Sequence, residues 1–329
     1  MKKYGKKVVV LALALMLALA VFSFAGCGPK TLTVGISQIV THPALDACRQ
    51  GAIDALADKG YVEGKNLKID YQNSEGDPAV ASTIAQQFVS GKVDLIMTIS
   101  TPSTQSACAA AMGNIPIVFS AVTDPVAGGF ANADGSNMDG VTGTSDALPI
   151  DGMLKLIKQL IPDAVNVGIL HTTSEVNSDV QLAMARELAP NYGLNIVDVG
   201  ITSTNEMSTA LDTLLPQVDV VMNLTDNTVV SALALEIEKC NAAGIPLIGS
   251  EDSQVKAGAL ASAGIDYYSL GRKTGEMMAE ILSGTAADKI PISTSDETSV
   301  TINTDQATAL GIIIPDDLKS ATMVTTGQE

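Results

Sequence analysis

Tryptophan is absent from this chain, and aromatic residues make up only 3% of it. The core is therefore expected to be aliphatic, built from Val, Ile, Leu, Ala and Met. Charged residues are also scarce, at 17%, and histidine occurs twice, as His42 and His171. Two histidines without clustered acidic partners make a poor metal site, so neither a metal nor another cofactor is expected. H-E-x-x-H, a G-x-S-x-G elbow, a Walker A loop and a complete G-x-G-x-x-G are all missing. That removes the usual sequence grounds for an enzyme. His42, before Pro43, reads as a cap or loop residue, and His171 sits at a strand end with no paired nucleophile. Cysteine occurs four times with no C-x-x-C pair, which argues against a disulfide framework at this length. Cys48, Cys108 and Cys240 read as buried thiols on helices, and a Cys48–Cys108 bridge is left open.

What is present begins with a leader. Met1–Lys7 carries Lys2, Lys3, Lys6 and Lys7, Val8–Ala20 is continuously apolar, and "FSFAGC" ends at Cys27. A basic start, a short apolar run and small residues form a secretory signal. The apolar run is short for a span, which needs roughly 20 residues. "FAGC" is similar to the bacterial lipobox, with Phe24 where Leu is usual. On that reading residues 1–26 are removed, Cys27 is lipidated, and 27–30 form a tether to the membrane. The full chain carries a net charge of −17, and losing the leader removes four lysines and no acid. So acidic a body argues against nucleic acid or anionic lipid as a partner.

The 329 residues, 46% of them hydrophobic, suit two lobes of ordinary domain size. Short apolar runs alternate with amphipathic runs of helix length, the pattern of parallel sheets covered by helices. Strands are expected at Leu32–Ser37, Leu67–Gln72, Val93–Ile99 and Ile115–Ser120. Helices are expected at Pro43–Lys59 and from Pro78, the latter capped by Asp77. The glycine-rich stretch Asp124–Gly143 is a candidate first crossing to a second lobe. There the rhythm restarts, with strands at Val165–Leu170, Asn195–Val199, Val218–Leu224 and Ile245–Gly249.

The second half repeats the first. "VDLIMTISTPSTQSA" from Val93 aligns with "VDVVMNLTDNTVVSA" from Val218, and "IPIVFSA" from Ile115 with "IPLIGSE" from Ile245. Both sets of strands end in hydroxyl-rich turns. In open parallel sheets ligands collect outside the carboxyl ends of the strands, so facing lobes would share one cleft. Gln38, Ser100, Thr101, Ser103, Thr104, Thr123 and Asp124 are the candidates from one lobe. Ser174, Asn177, Ser178, Asp226, Asn227 and Glu251 are those from the other. Hydroxyls at a helix start suit a carboxylate. Asp226, aligned with Thr101, and Glu251, aligned with Ala121, offer carboxylates for an ammonium. A zwitterionic amino acid fits both ends.

The motifs "GISQIVTHPALD" (Gly35–Asp46), "STPSTQ" (Ser100–Gln105), "FSAVTDP" (Phe119–Pro125), "VTGTSD" (Val141–Asp146), "GIDYYSLG" (Gly264–Gly271) and "INTDQATALGIIIPDDL" (Ile302–Leu318) carry a resemblance over nearly the whole mature chain. It resembles the type I periplasmic-binding-protein superfamily, and within it the substrate-binding lipoproteins of ABC importers for aromatic amino acids such as tryptophan. One loop departs from that family's pattern, with His171-Thr172-Thr173 in place of Tyr-Asn-Pro.

The resemblance implies an α/β fold of two Rossmann-like lobes, each a parallel sheet flanked by helices, joined by a hinge with three crossings. It implies residues 31–145 plus about 265–295 in the first lobe, and 146–264 plus about 296–329 in the second. It further implies a monomeric, non-enzymatic, lipid-anchored receptor on the extracytoplasmic face, closing on an amino acid and handing it to a permease and its ATPase. A nucleoside, a sugar, a branched-chain amino acid or a sensing role remain as alternatives.

Overall fold

Residues 31–294 and 298–328 are described by the computed structural model. The leader, Cys27 and the tether lie outside them. The first strand, β1 (Leu32–Gln38), leads into helix α1 (Pro43–Asp58), and β2 (Leu67–Asn73) into α2 (Pro78–Gly91). Asp77 caps α2, its carboxylate accepting from the Ala79 and Val80 N–H groups at 2.7 and 3.4 Å. Then follow β3 (Leu95–Ile99), α3 (Thr101–Ala111), β4 (Ile117–Val122) and β5 (Val141–Ser145).

The second unit starts with α4 (Ile150–Leu160), β6 (Asn166–Thr172), α5 (Val176–Leu188), β7 (Asn195–Ile201), α6 (Met207–Leu214) and β8 (Val220–Met222). It continues with α7 (Asn227–Ser231), α8 (Leu233–Ala243), β9 (Leu247–Gly249), α9 (Asp252–Ala257) and β10 (Ala261–Ile265). Helix α10 (Tyr267–Leu282) and β11 (Ser293–Thr294) return to the first unit. Strand β12 (Thr298–Asn303), α11 (Thr304–Ala309) and β13 (Thr322–Val324) complete the second.

Two sheets result, in the orders β11-β5-β4-β3-β1-β2 and β13-β12-β10-β9-β8-β6-β7. Each contains the same winding: β2-β1-β3-β4-β5 in one and β7-β6-β8-β9-β10 in the other. The repeat read from the sequence is thus a repeat of topology. One detail departs from two purely parallel sheets, since β12 runs antiparallel to β10. The expected crossing at Asp124–Gly143 is corrected: that stretch joins β4 to β5 within a single sheet, where they pair in parallel. The chain passes between sheets after Ser145, after Ile265 and again between Thr294 and Thr298.

Helices cover both faces of each sheet, so central strands are apolar throughout; every residue of β3 and β4 is buried. The core is largely aliphatic, with Tyr267 and three phenylalanines as its buried aromatics among the described residues. Phe88, Phe119 and Phe130 are among the largest fully buried side chains and share one cluster on the first sheet. The three described cysteines are free. Cys48 lies 2.9 Å from the Ser120 hydroxyl, and burial pushes its thiol up to about 12.

Helices α1 and α10 pack backbone to backbone. A Cβ added at Gly271 would run into the Cys48 carbonyl oxygen, one at Gly51 into Tyr268 O, and one at Gly275 into Ala52 O. Because α10 follows the second crossing, this contact also fixes where the chain re-enters the first lobe. Gly271→Ala is expected to destabilise the fold by about 2 kcal/mol through overpacking. That corresponds to roughly 4–8 °C in Tm, read by scanning calorimetry.

Candidate functional site

Residues just beyond the carboxyl ends of the central strands line one narrow cavity between the sheets. Ser100 and Thr101 follow β3, Ala121 and Thr123 end β4, and Asp146 follows β5. Opposite them stand Thr225, Asp226 and Asn227 after β8, and Ser250 and Glu251 after β9. The positions aligned by the repeat, Thr101 with Asp226 and Ala121 with Glu251, therefore meet on the walls of one space. Two of these residues hold a left-handed backbone unusual for side chains larger than glycine: Ser100 at φ 87° and Ala121 at φ 54°. Such strain costs on the order of 1–3 kcal/mol and collects at sites where geometry matters. At Ser100 it turns the chain sharply from β3 into α3. That helix carries no side-chain cap, so its first N–H groups and its positive end are free to face an anion.

The opposite wall is held by carboxylates. Asp226, fully buried, accepts from the Thr172 N–H at 2.5 Å, the Thr172 hydroxyl at 2.7 Å, the Ser178 hydroxyl at 2.7 Å and the Val229 N–H at 2.9 Å. Four donors fill the capacity of a carboxylate. Glu175, which motif reading does not single out, is buried beside it. It accepts from Asn177 Nδ2, from the N–H and Nδ2 of Asn227, and from the N–H and hydroxyl of Thr228. Asn177 donates its second Nδ2 hydrogen to the Thr225 carbonyl at 2.8 Å. Its Oδ1 is buried and finds no partner. This acceptor on the wall is left open.

The candidates named from sequence divide accordingly. Ser100, Thr101, Thr123, Asn177, Asp226, Asn227 and Glu251 line the cavity. Gln38 does not: it is fully buried, donates to Val40 O and Asp46, and accepts from Arg49. Ser103 and Thr104 are fully buried outside the lining. The Thr104 hydroxyl turns back to Ser100 O at 2.9 Å and lies 2.8 Å from Thr98 Oγ1. Asp124 caps a surface turn through Val126 and Ala127 N–H, Ser174 is exposed, and Ser178 supports Asp226. His171 is off the lining too, its Nε2 3.3 Å from Asp198.

Residues outside the named set complete the wall, among them His42, Leu45, Asp146, Val230, Gln254 and Tyr267. Of these, Tyr267 and Asp146 stand at the crossings, joined by a 2.8 Å hydrogen bond from the phenol. The lobes also touch through hydroxyls. Thr123 Oγ1 lies 3.0 Å from Thr225 Oγ1 and accepts from Gln181 Nε2 at 3.3 Å.

Among the described residues lining this space none is Lys or Arg. Burial pushes the Asp146 carboxyl up to about 6 and Glu251 up to about 7. Burial, and after it the Asp226 charge, pushes Glu175 up to about 7. Burial holds the His42 imidazole down at about 4, hence neutral. Among the described residues no group of three or more His, Cys, Asp or Glu is arranged to hold a metal ion. The site can therefore accept an uncharged or cationic group on one wall and an anion at the α3 N-terminus.

Asp226→Ala would leave buried donors of Thr172, Ser178 and Val229 unpaired. It is expected to cost about 3 kcal/mol of stability, read by denaturant titration, before any ligand is added.

The comparisons with known proteins agree with this geometry. The family model for ABC transporter substrate binding proteins matches residues 33–325. A tyrosine-binding protein of Clostridioides difficile (strain R20291) is 44% identical over 281 residues, 85% of this chain and 81% of that protein. An ABC domain from Streptococcus pneumonia, solved in complex with L-Trp, is 32% identical, with a TM-score of 0.86 over 90% of this chain and 100% of that one. A ligand-free, open substrate binding protein with adhesive properties from Clostridium difficile is 41% identical, yet its TM-score is only 0.68, over 90% of this chain and 99% of that one. The shape is nearer to the L-Trp complex than to the open relative of higher identity. This accords with the Thr123–Thr225 contact across the gap. In sequence across residues 33–325, and in shape over nine-tenths of its length, the chain belongs to the substrate-binding proteins of ABC transporters.

Proposed function

We propose that this chain binds an aromatic L-α-amino acid, as the zwitterion, between its two lobes. The observation that carries the reading is the buried, unpartnered Asn177 Oδ1, set in a wall of carboxyls with no cation and opposite the uncapped start of α3. The ligand's ammonium takes Asn177 Oδ1 and gains from the negative field of Asp226, Glu175 and Asp146. Asp226 acts through its charge and through the frame it holds, its lone pairs being filled. The ligand's carboxylate meets Ser100, Thr101 and the first N–H groups of α3, where charge-assisted bonds are worth roughly 1.5–3 kcal/mol each. The relatives named for tyrosine and solved with L-Trp support an aromatic side chain. Leu45, Ala121 and Val230 supply apolar wall for it.

Binding favours the closed form only through contacts made better when the lobes meet. Closure is a hinge motion about the crossings, with residues 31–145 and about 265–295 moving against 146–264 and about 296–329. The receptor acts as a monomer outside the cytoplasmic membrane, held by acyl chains on Cys27 after removal of residues 1–26. Its closed form presents the amino acid to a permease and its ATPase. Among the described residues no helix is long and apolar enough to cross a membrane, and the tether would be the lipid.

A thermal-shift panel of amino acids, nucleosides and sugars tests the ligand class. An aromatic L-amino acid at a hundred times its Kd should add about 2.7 kcal/mol. A shift from a sugar or nucleoside and none from any aromatic amino acid refutes the reading. The raised carboxyls give a second test. Their folded values, about 6 for Asp146 and about 7 for Glu175 and Glu251, lie above the ordinary carboxylate range. Without ligand, these groups make stability fall as pH rises from about 4 to 7, because ionisation is what burial disfavours. An ammonium beside Asp146 and Glu175 favours their ionised form. Binding at pH 6.5 should therefore release protons, and affinity should rise from pH 5.5 to 8. Calorimetry in two buffers of different ionisation enthalpy measures both.

A further inference from the structure

The end of the cavity away from Asn177 carries acceptors that an amino acid's head group leaves unused. His42, Val230, Glu251 and Gln254 line the inner cavity and also an outer groove between the start of α1 and helices α7–α9. Asn177, Asp146 and Tyr267 line only the inner space. The site thus has polar groups that the groove shares and polar groups that it does not, with Leu45 adding apolar wall to the inner space and Val230 to both.

Glu251 is 2% exposed. Its Oε2 accepts from the Ser253 N–H at 2.6 Å and its Oε1 from the Ser253 hydroxyl at 2.7 Å, and the Gln254 N–H adds to these. A carboxylate accepts about four hydrogen bonds, so capacity remains for one more donor. His42 precedes α1 but does not cap it, and its Nδ1 is buried without a partner. Neither the inner wall nor the groove includes a Lys or Arg among its described residues; Arg49 is engaged by Gln38 and Asp46. Two buried polar groups therefore face this end with hydrogen-bonding capacity unspent.

We infer that His42 and Glu251 read a hydrogen-bond donor on the ligand's ring, so that phenol and indole side chains are taken and a plain phenyl is rejected. The inference rests on the aromatic amino acid reading and sharpens it. The physical reason is asymmetry: a phenyl group packed at this end leaves both buried acceptors short of a partner, whereas an O–H or N–H donor pairs one of them. Sites built to pair a substrate's polar group discriminate more strongly than pockets that only measure size.

The test compares L-tyrosine, L-tryptophan and L-phenylalanine by titration calorimetry on the mature chain, then on the double variant His42→Phe, Glu251→Gln. The Phe ring keeps the volume near His42, and Gln keeps an oxygen for the Ser253 N–H. A melt without ligand checks that the variant is folded. In the unaltered protein phenylalanine should bind roughly 10- to 100-fold more weakly than tyrosine and tryptophan. In the variant that gap should close to within about threefold, chiefly by loss of affinity for the two donors. Equal affinities for all three in the unaltered protein overturn the inference and leave the aromatic reading standing. So does a gap that survives the double substitution unchanged. Binding of none of the three overturns both. If the variant does not fold, the comparison in the unaltered protein decides alone.

Discussion

Carboxyl groups buried around a gap that has no Lys or Arg among its described lining residues are the constraint on which this structure depends. Asp146, Glu175, Asp226 and Glu251 are each at most 6% exposed. A charge taken out of water must be paired or hydrogen-bonded, or else neutralised. The chain meets that requirement unevenly. Asp226 receives four donors and Glu175 five, all from the end of β6, the first turn of α5 and the first residues of α7. These bonds knit the upper edge of the second sheet into one rigid wall. Asp146 and Glu251 have fewer donors, and burial raises their pKa values. A cation entering the gap supplies what the wall lacks.

The two lobes reach this arrangement from one winding. The aligned turns deliver hydroxyls and an uncapped helix on the first lobe and carboxylates on the second. Thr101 against Asp226, and Ala121 against Glu251, are the substitutions that polarise the gap. The polarity runs from the positive end of α3 to the acidic wall, the same direction as the dipole of an amino acid head group. The crossings share in this, because Asp146 and Tyr267 both line the cavity and stand at two of them, bonded to one another. A ligand that perturbs Asp146 therefore acts on a segment that joins the two sheets. The tight glycine contact between α1 and α10 holds the returning segment against the first lobe.

Much of this could be read from the chain unfolded. Alternating apolar runs announced the βα order, because a strand covered on both faces has no polar side to show. The shared Val-Asp and Ile-Pro starts announced the repeated topology. Asp77 announced a helix cap. The strand-end rule located seven of the thirteen ligand candidates on the cavity wall, because in such sheets the loops after the strands are the ones that face the gap.

What escaped depends on side-chain direction, which a turn's composition does not encode. Ser103 and Thr104 share their turn with Ser100 and Thr101, yet helical geometry directs them inward, where the Thr104 hydroxyl finds Ser100 O. Glu175 is a single acid in a polar loop, with nothing local to mark the five donors that converge on it. Gln38 ends its strand as a ligand residue would, and is claimed by Asp46 and Arg49 from α1. The sequence by itself determined the strands, the winding and the side of each sheet where chemistry gathers, because periodicity and turn chemistry act over a few residues. Only the tertiary structure decided which polar groups were spent on the frame and which, like Asn177 Oδ1, were left open. Hydrogen-bond capacity is consumed by partners distant in the chain, and that accounting closes only when both lobes are folded.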